Sequence, residues 1–139
     1  MVNQNIVKAK IGHIEGNLQR LREKRKISLE ELTRSIDLQD IILHNLQLSI
    51  QGCIDIASHI ISDQGWTVPG TLAGLFDILS EHKVISLQLS EKLKKMTGFR
   101  NLIIHEYQTI DLNRVHNILS RDIKDIDAFL RRICVYAKL

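Results

Sequence analysis

Apolar residues recur at steps of three and four along most of this chain, and no run alternates with a period of two. Val7, Ile11, Ile14, Leu18 and Leu21 form one such stripe, which predicts a helix over about residues 4–24. Ser28 and Glu31 have the spacing of a capping box, opening a short helix to about Arg34. Asp37 is expected to cap the next helix. Its stripe runs through Ile42, Leu46, Ile50, Cys53, Ala57 and Ile61 to about Asp63. Ile41, Leu43, Leu48, Ile54 and Ile60 lie outside that stripe. A helix apolar on more than one face belongs at the centre of a fold or at a subunit interface. Residues 63–70, DQGWTVPG, read as a loop. Thr71 is expected to cap a helix carrying Leu72, Leu75, Phe76 and Leu79, and Ser86 another through Leu89, Leu93 and Met96. Thr97-Gly98 is expected to interrupt that helix. Asp111 is expected to cap the last one, with Val115, Leu119, Ile123, Ile126, Leu130 and Ile133 on its apolar side. Three long helices and several short ones, joined by short connections, pack as an up-and-down bundle. The expected class is all-α, a single helical domain over residues 1–139.

Composition agrees with that class. The chain has 139 residues, 44% of them hydrophobic, one proline and few aromatics, so a core of Leu and Ile is expected. Net charge is +3, which permits a polyanionic partner without requiring one. The basic stretch Arg20, Arg22, Lys24, Arg25, Lys26 reads either as a solvated helix end or as a phosphate-contacting patch. No apolar run is long enough for a membrane span, and MVNQNIVKAK lacks a signal-peptide core. Cys53 and Cys134 read as buried free thiols of a reducing compartment, so a cytoplasmic protein is expected. Asp55 and His59 are four apart on one helical face, but two ligands do not make a metal site. No metal and no cofactor are expected.

One stretch does not fit an ordinary amphipathic pattern. In GFRNLIIHEY, residues 98–107, Arg100, Asn101 and His105 are set among Phe99, Leu102, Ile103 and Ile104. A buried charge is unfavourable unless paired, so these groups either meet partners or face a cleft. On an ideal helix Arg100 and His105 differ by five positions, about 140°, and would not share a face. Convergence needs a distortion, for which Gly98 is the natural place, or a second chain that brings a partner residue. Taken singly, His105 reads as a core histidine, Arg100 as a structural ion-pair partner and Tyr107 as a half-buried tyrosine.

The wording RNLIIHEY resembles the signature of the HepT-like toxins of the HEPN superfamily: Arg, four residues, His, any residue, Tyr. Here these are Arg100, His105 and Tyr107, with Asn101 and Gly98-Phe99 also matching. The likeness is specific over about ten residues and extends to most of the chain in helical layout. It implies a HEPN-like bundle, a homodimer, and a metal-independent endoribonuclease acting as the toxin of a toxin–antitoxin pair. It also implies an MNT-type nucleotidyltransferase antitoxin that transfers AMP to the motif tyrosine, Tyr107 here. RNA supplies its own nucleophile, the 2′-hydroxyl. An imidazole such as His105 is suited to moving protons near neutral pH, and a guanidinium such as Arg100 to gripping a phosphate in two places. Asn101 is the expected supporting residue. One histidine per chain leaves acid or base unfilled, and a two-fold dimer would bring a second. The alternative is a non-catalytic helical nucleotide- or substrate-binding partner of a nucleotidyltransferase. A third reading makes the motif a fold-stabilising network.

Overall fold

The computed structural model describes residues 2–139. Its elements are α1 (Gln4–Glu23), α2 (Leu29–Arg34), α3 (Ile36–Gln64), α4 (Gly74–Glu81), α5 (Leu87–His105), α6 (Leu112–Asn117) and α7 (Ile123–Ala137). A 3₁₀ turn, Tyr107–Thr109, follows α5, and a π-helical turn, Ile118–Asp122, joins α6 to α7. No strand occurs among the described residues, and the chain is all-α.

Caps explain most boundaries. Ser28 and Glu31 form the reciprocal capping box that opens α2. The expected cap Asp37 is corrected: Ser35 holds that place, its hydroxyl accepting from the Leu38 N–H at 3.1 Å, and Asp37 sits in the first turn of α3. Either residue type can cap, and the shorter linker after α2 leaves only Ser35 outside the helix. Gly65 ends α3 in the left-handed region, φ 70°, with the Trp66 N–H returning to the Ile61 carbonyl. The expected cap Thr71 is corrected: its hydroxyl accepts from the Gly74 N–H at 3.1 Å and closes the turn before α4, whose N-cap is Ala73 with no side-chain bond.

Thr97-Gly98 does not break the chain's helical course: α5 runs unbroken from Leu87 to His105. Thr97 turns its hydroxyl inward to the Leu93 carbonyl at 2.9 Å. The penalty of about 1 kcal/mol for a mid-helix glycine is outweighed by the burial of Met96, Phe99 and Ile103 around it. The bundle therefore has four long rods: α1, α3, α5 and the composite α6–α7. The spacing around the π turn in that last rod does not by itself explain it, since Ile42, Leu46 and Ile50 repeat the same steps of four within regular α3. Val115, Leu119 and Ile123 are successive steps of four, which drift about 80° from a straight line on an ideal helix. The wider turn is closed by the Ile123 N–H to the Ile118 carbonyl, and Ile123 is buried.

Long-range bonds fix the directions. The Asn3 N–H reaches Asp63 at 3.0 Å, tying the start of α1 to the end of α3. Gln4 Nε2 donates to the Ala137 carbonyl at 2.8 Å, tying it also to the end of α7. Tyr107 meets Asp40, tying the end of α5 to the start of α3. Rods consecutive in the chain are thus antiparallel, α3 and α7 run parallel, and α3 lies between α1, α4, α5 and α7. The core is mostly Ile and Leu, with Phe76 and Phe129 edge-to-face at 5.8 Å. At Gly52 the α1–α3 contact is so close that a Cβ would lie 2.4 Å from Ile14 Cγ1. Cys53 is buried and its thiol is pushed far up by that burial; Cys134, expected buried, is only half-buried because it falls beside the α7 stripe. No helix among the described residues is long and apolar enough to cross a membrane.

Candidate active site on α5 and α3

The last turns of α5 lie against the first half of α3, and the motif residues divide between them. Phe99 and Ile103 point into the core, whereas Ile104 is exposed, a turn past Arg100 on the rim. Arg100 is half-buried and faces α3. Its Nη2 donates to Gln51 Oε1 at 2.5 Å and its Nη1 to Asn101 Oδ1 at 2.9 Å. Gln51 Nε2 in turn donates to Asp55 Oδ1 at 2.9 Å. Asp55 thereby fixes which end of the Gln51 amide faces the guanidinium. Among the described residues no carboxylate lies within ion-pair distance of Arg100, and its buried Nε has no partner. The guanidinium is oriented by two neutral amides while its charge stays available. Asn101 takes the supporting position the sequence suggested.

His105 is the last residue of α5, exposed, and makes no hydrogen bond or ion pair among the described residues. Because α5 is regular through this stretch, the angular separation of Arg100 and His105 stands. No hydrogen bond joins the two side chains among the described residues.

Tyr107 sits in the 3₁₀ turn, 41% exposed, and its hydroxyl donates to an Asp40 carboxylate oxygen. Partial desolvation, then the bond to Asp40 and its negative charge, push the phenol up to about 12. Asp40 and Gln51 are eleven positions apart on α3 (51 − 40), roughly 16 Å along the axis and nearly on one line. The tyrosine hydroxyl and the guanidinium thus stand at two ends of one polar stripe.

Other candidates separate clearly. His59 packs Nε2 against Asp63 at 3.0 Å and Asp55 serves Gln51, so the Asp55–His59 pair forms no ligand set. No cluster of three or more metal-binding side chains occurs among the described residues. His82 stacks on Trp66 at 3.6 Å, closing the loop after α3, and His116 bonds the Ile27 carbonyl at 2.8 Å. Within the basic stretch, Arg22 is consumed by Glu15 and Asp127. Arg20 instead lines a groove of about 550 Å³ between α1 and α3, with Lys10, His13, Asn17, Gln51 and Asp55. Sequence reasoning missed Gln51 and Asp40. α3 carries several other polar residues, so nothing in the linear pattern singled these two out.

Comparison with known proteins bears on this geometry. The ribonuclease HepT-like family profile matches residues 14–133. An mRNA nuclease HepT of Shewanella oneidensis is 34% identical over 100 residues, 72% of this chain and 75% of that protein. A tRNA nuclease HepT of Aphanizomenon flos-aquae is 29% identical over 131 residues, 94% of this chain and 89% of its own. In solved structures, a tri-AMPylated Shewanella oneidensis HEPN toxin in complex with MNT antitoxin superposes with TM-score 0.87 at 30% identity. That match covers 96% of this chain and 99% of the other.

Proposed function

Since this chain belongs to the ribonuclease HepT-like family, we propose that it cleaves RNA at a composite site of Arg100 and His105 completed by a second copy of itself. It is an endoribonuclease toxin, and its partners are RNA and an MNT-type nucleotidyltransferase antitoxin. The observation that carries the site assignment is the unpaired guanidinium. A structural arginine would be met by a carboxylate; Arg100 is aimed by Gln51 and Asn101 and keeps its charge for a phosphate.

In the reaction the 2′-oxygen attacks phosphorus and the 5′-oxygen leaves. Products are a 2′,3′-cyclic phosphate and a 5′-hydroxyl. Arg100 stabilises the charge that builds on the non-bridging oxygens, and His105 moves the proton. No metal takes part. A second His105 supplies the complementary proton step, which accounts for a histidine left exposed and unbonded at a helix end. The surface around it suits a second copy: Ile41 and Leu48, seven apart on α3, and Ile104 on α5 are each about 40% exposed beside the polar stripe.

The antitoxin silences this site by transferring AMP to Tyr107. The first phosphate stays at the tyrosine, roughly 16 Å along α3 from Gln51 and the guanidinium. Competing for Arg100 by charge therefore takes a short chain of nucleotides laid along the stripe. His105→Ala tests the assignment. RNA cleavage and growth arrest on expression should both be lost while the circular dichroism spectrum is unchanged. A variant that still cuts at the wild-type rate removes His105 from the mechanism.

A further inference from the structure

The contact between Tyr107 and Asp40 joins α5 to α3 from outside the core. Asp40 is exposed, lies in neither the core nor a cap, and makes no ion pair among the described residues. Tyr107 is reached only through a 3₁₀ turn, whose residues contribute nothing to the core. Two exposed side chains, 67 positions apart, are nevertheless brought together at the one oxygen that the modification requires as a nucleophile.

We infer that Asp40 is the general base for AMP transfer to Tyr107, a catalytic group that the toxin supplies to its own modification. This rests on the reading of Tyr107 as the modified residue. The phenol oxygen attacks the α-phosphorus of ATP. A new O–P bond forms, the bond to the bridging oxygen breaks, and pyrophosphate leaves with its electron pair. The phenolic proton passes to the Asp40 carboxylate and then to solvent. A free phenolate is not accessible at neutral pH, since the surroundings of Tyr107 hold its proton more tightly than usual. It is not needed. As the O–P bond forms, the bridging proton becomes strongly acidic, so a carboxylate of ordinary basicity can take it in the transition state. The same bond fixes the hydroxyl toward the groove of about 400 Å³ lined by Gln39, Asp40, Leu43, Gln108 and Leu112. Asp40 serves only the first transfer, because later nucleotides would be joined to ribose hydroxyls that lie beyond its reach.

The test is an intact-mass time course of the toxin with its nucleotidyltransferase, magnesium and ATP. Wild type should gain AMP, and Tyr107→Phe should gain none. Asp40→Asn and Asp40→Ala should slow the first addition by about 10²-fold or more, the usual effect of removing a positioned base. Both should bind the antitoxin with wild-type affinity. Formate should restore part of the rate to Asp40→Ala, where it can occupy the vacated space, and not to Asp40→Asn. First addition to Asp40→Asn at the wild-type rate overturns the inference while leaving Tyr107 modification intact. So does a slowed rate that tracks weakened antitoxin binding, which makes Asp40 a docking contact. Wild type left unmodified, or modified equally in Tyr107→Phe, overturns the reading beneath it.

Discussion

Replacing Arg100 by Met should lower stability modestly and abolish activity. The substitution keeps an apolar stem of similar length and removes the guanidinium. Two hydrogen bonds from a charged group disappear, to Gln51 and Asn101, each contributing about 1.5–3 kcal/mol. Against this, the buried Nε has no partner, and an unsatisfied group of that kind costs about 1–3 kcal/mol. The amides released are at the rim of the α1–α3 groove, where water can serve them. The balance is a loss of between about 0 and 5 kcal/mol, each kcal/mol being about 3–5 °C in Tm for a chain of this size. Catalysis loses its main charge stabilisation, and removing one such donor typically lowers kcat by about 10²–10³. The pair of measurements is a urea or thermal melt and the initial rate on a fluorogenic RNA. A stability loss above about 5 kcal/mol would make Arg100 a structural strut, as the fold-network reading holds. Unchanged cleavage would remove it from the site.

Other expectations can be checked with the same material. Gly52→Ala drives a Cβ into Ile14, so melts should show a loss of about 1–3 kcal/mol, recovered in part by adding Ile14→Val; a neutral result would mean that α1 and α3 separate easily. Tyr107 should remain largely protonated at pH 11, with its value falling only part of the way back in Asp40→Asn because desolvation, the larger cause, remains, as read from tyrosine ¹³Cζ shifts; an unchanged value in the variant would remove Asp40 as a contributor. Burial raises the Cys53 thiol, so the unfolded chain releases this proton first. Its contribution to stability is complete below about pH 8.5 and declines at higher pH, a decline Cys53→Ala should lack in pH-dependent melts. In the native protein a thiol reagent should label Cys134 and spare Cys53, whereas equal labelling would contradict the burial of Cys53.

Much of this was legible in the chain. Steps of three and four gave the rods because burial on one face is what a bundle needs, and Ser28, Ser86 and Asp111 capped where their spacing indicated. The expected break at Thr97-Gly98 failed because local propensity is weaker than the burial of Phe99 and Ile103 on either side. The π turn was hidden because Val115, Leu119 and Ile123 have the same spacing as Ile42, Leu46 and Ile50, which stay α-helical in α3. Within the site, Arg100, Asn101, His105 and Tyr107 were visible as a linear motif. Gln51, Asp55 and Asp40 were not, since their meaning depends on the register of α3 against α5, which no local pattern encodes.

The proposed composite site needs two copies of the chain: Arg100 faces α3, and the His105 side chain stands without a partner at the end of α5. Wild type can be mixed in equal amounts with an Arg100→Ala/His105→Ala double variant, allowed to exchange subunits, and assayed on RNA at fixed total protein. If both protomers build the site, random pairing leaves about a quarter of the wild-type rate, the share of fully wild-type dimers. A rate of about one half would mean that each protomer cuts by itself, and would contradict the composite site.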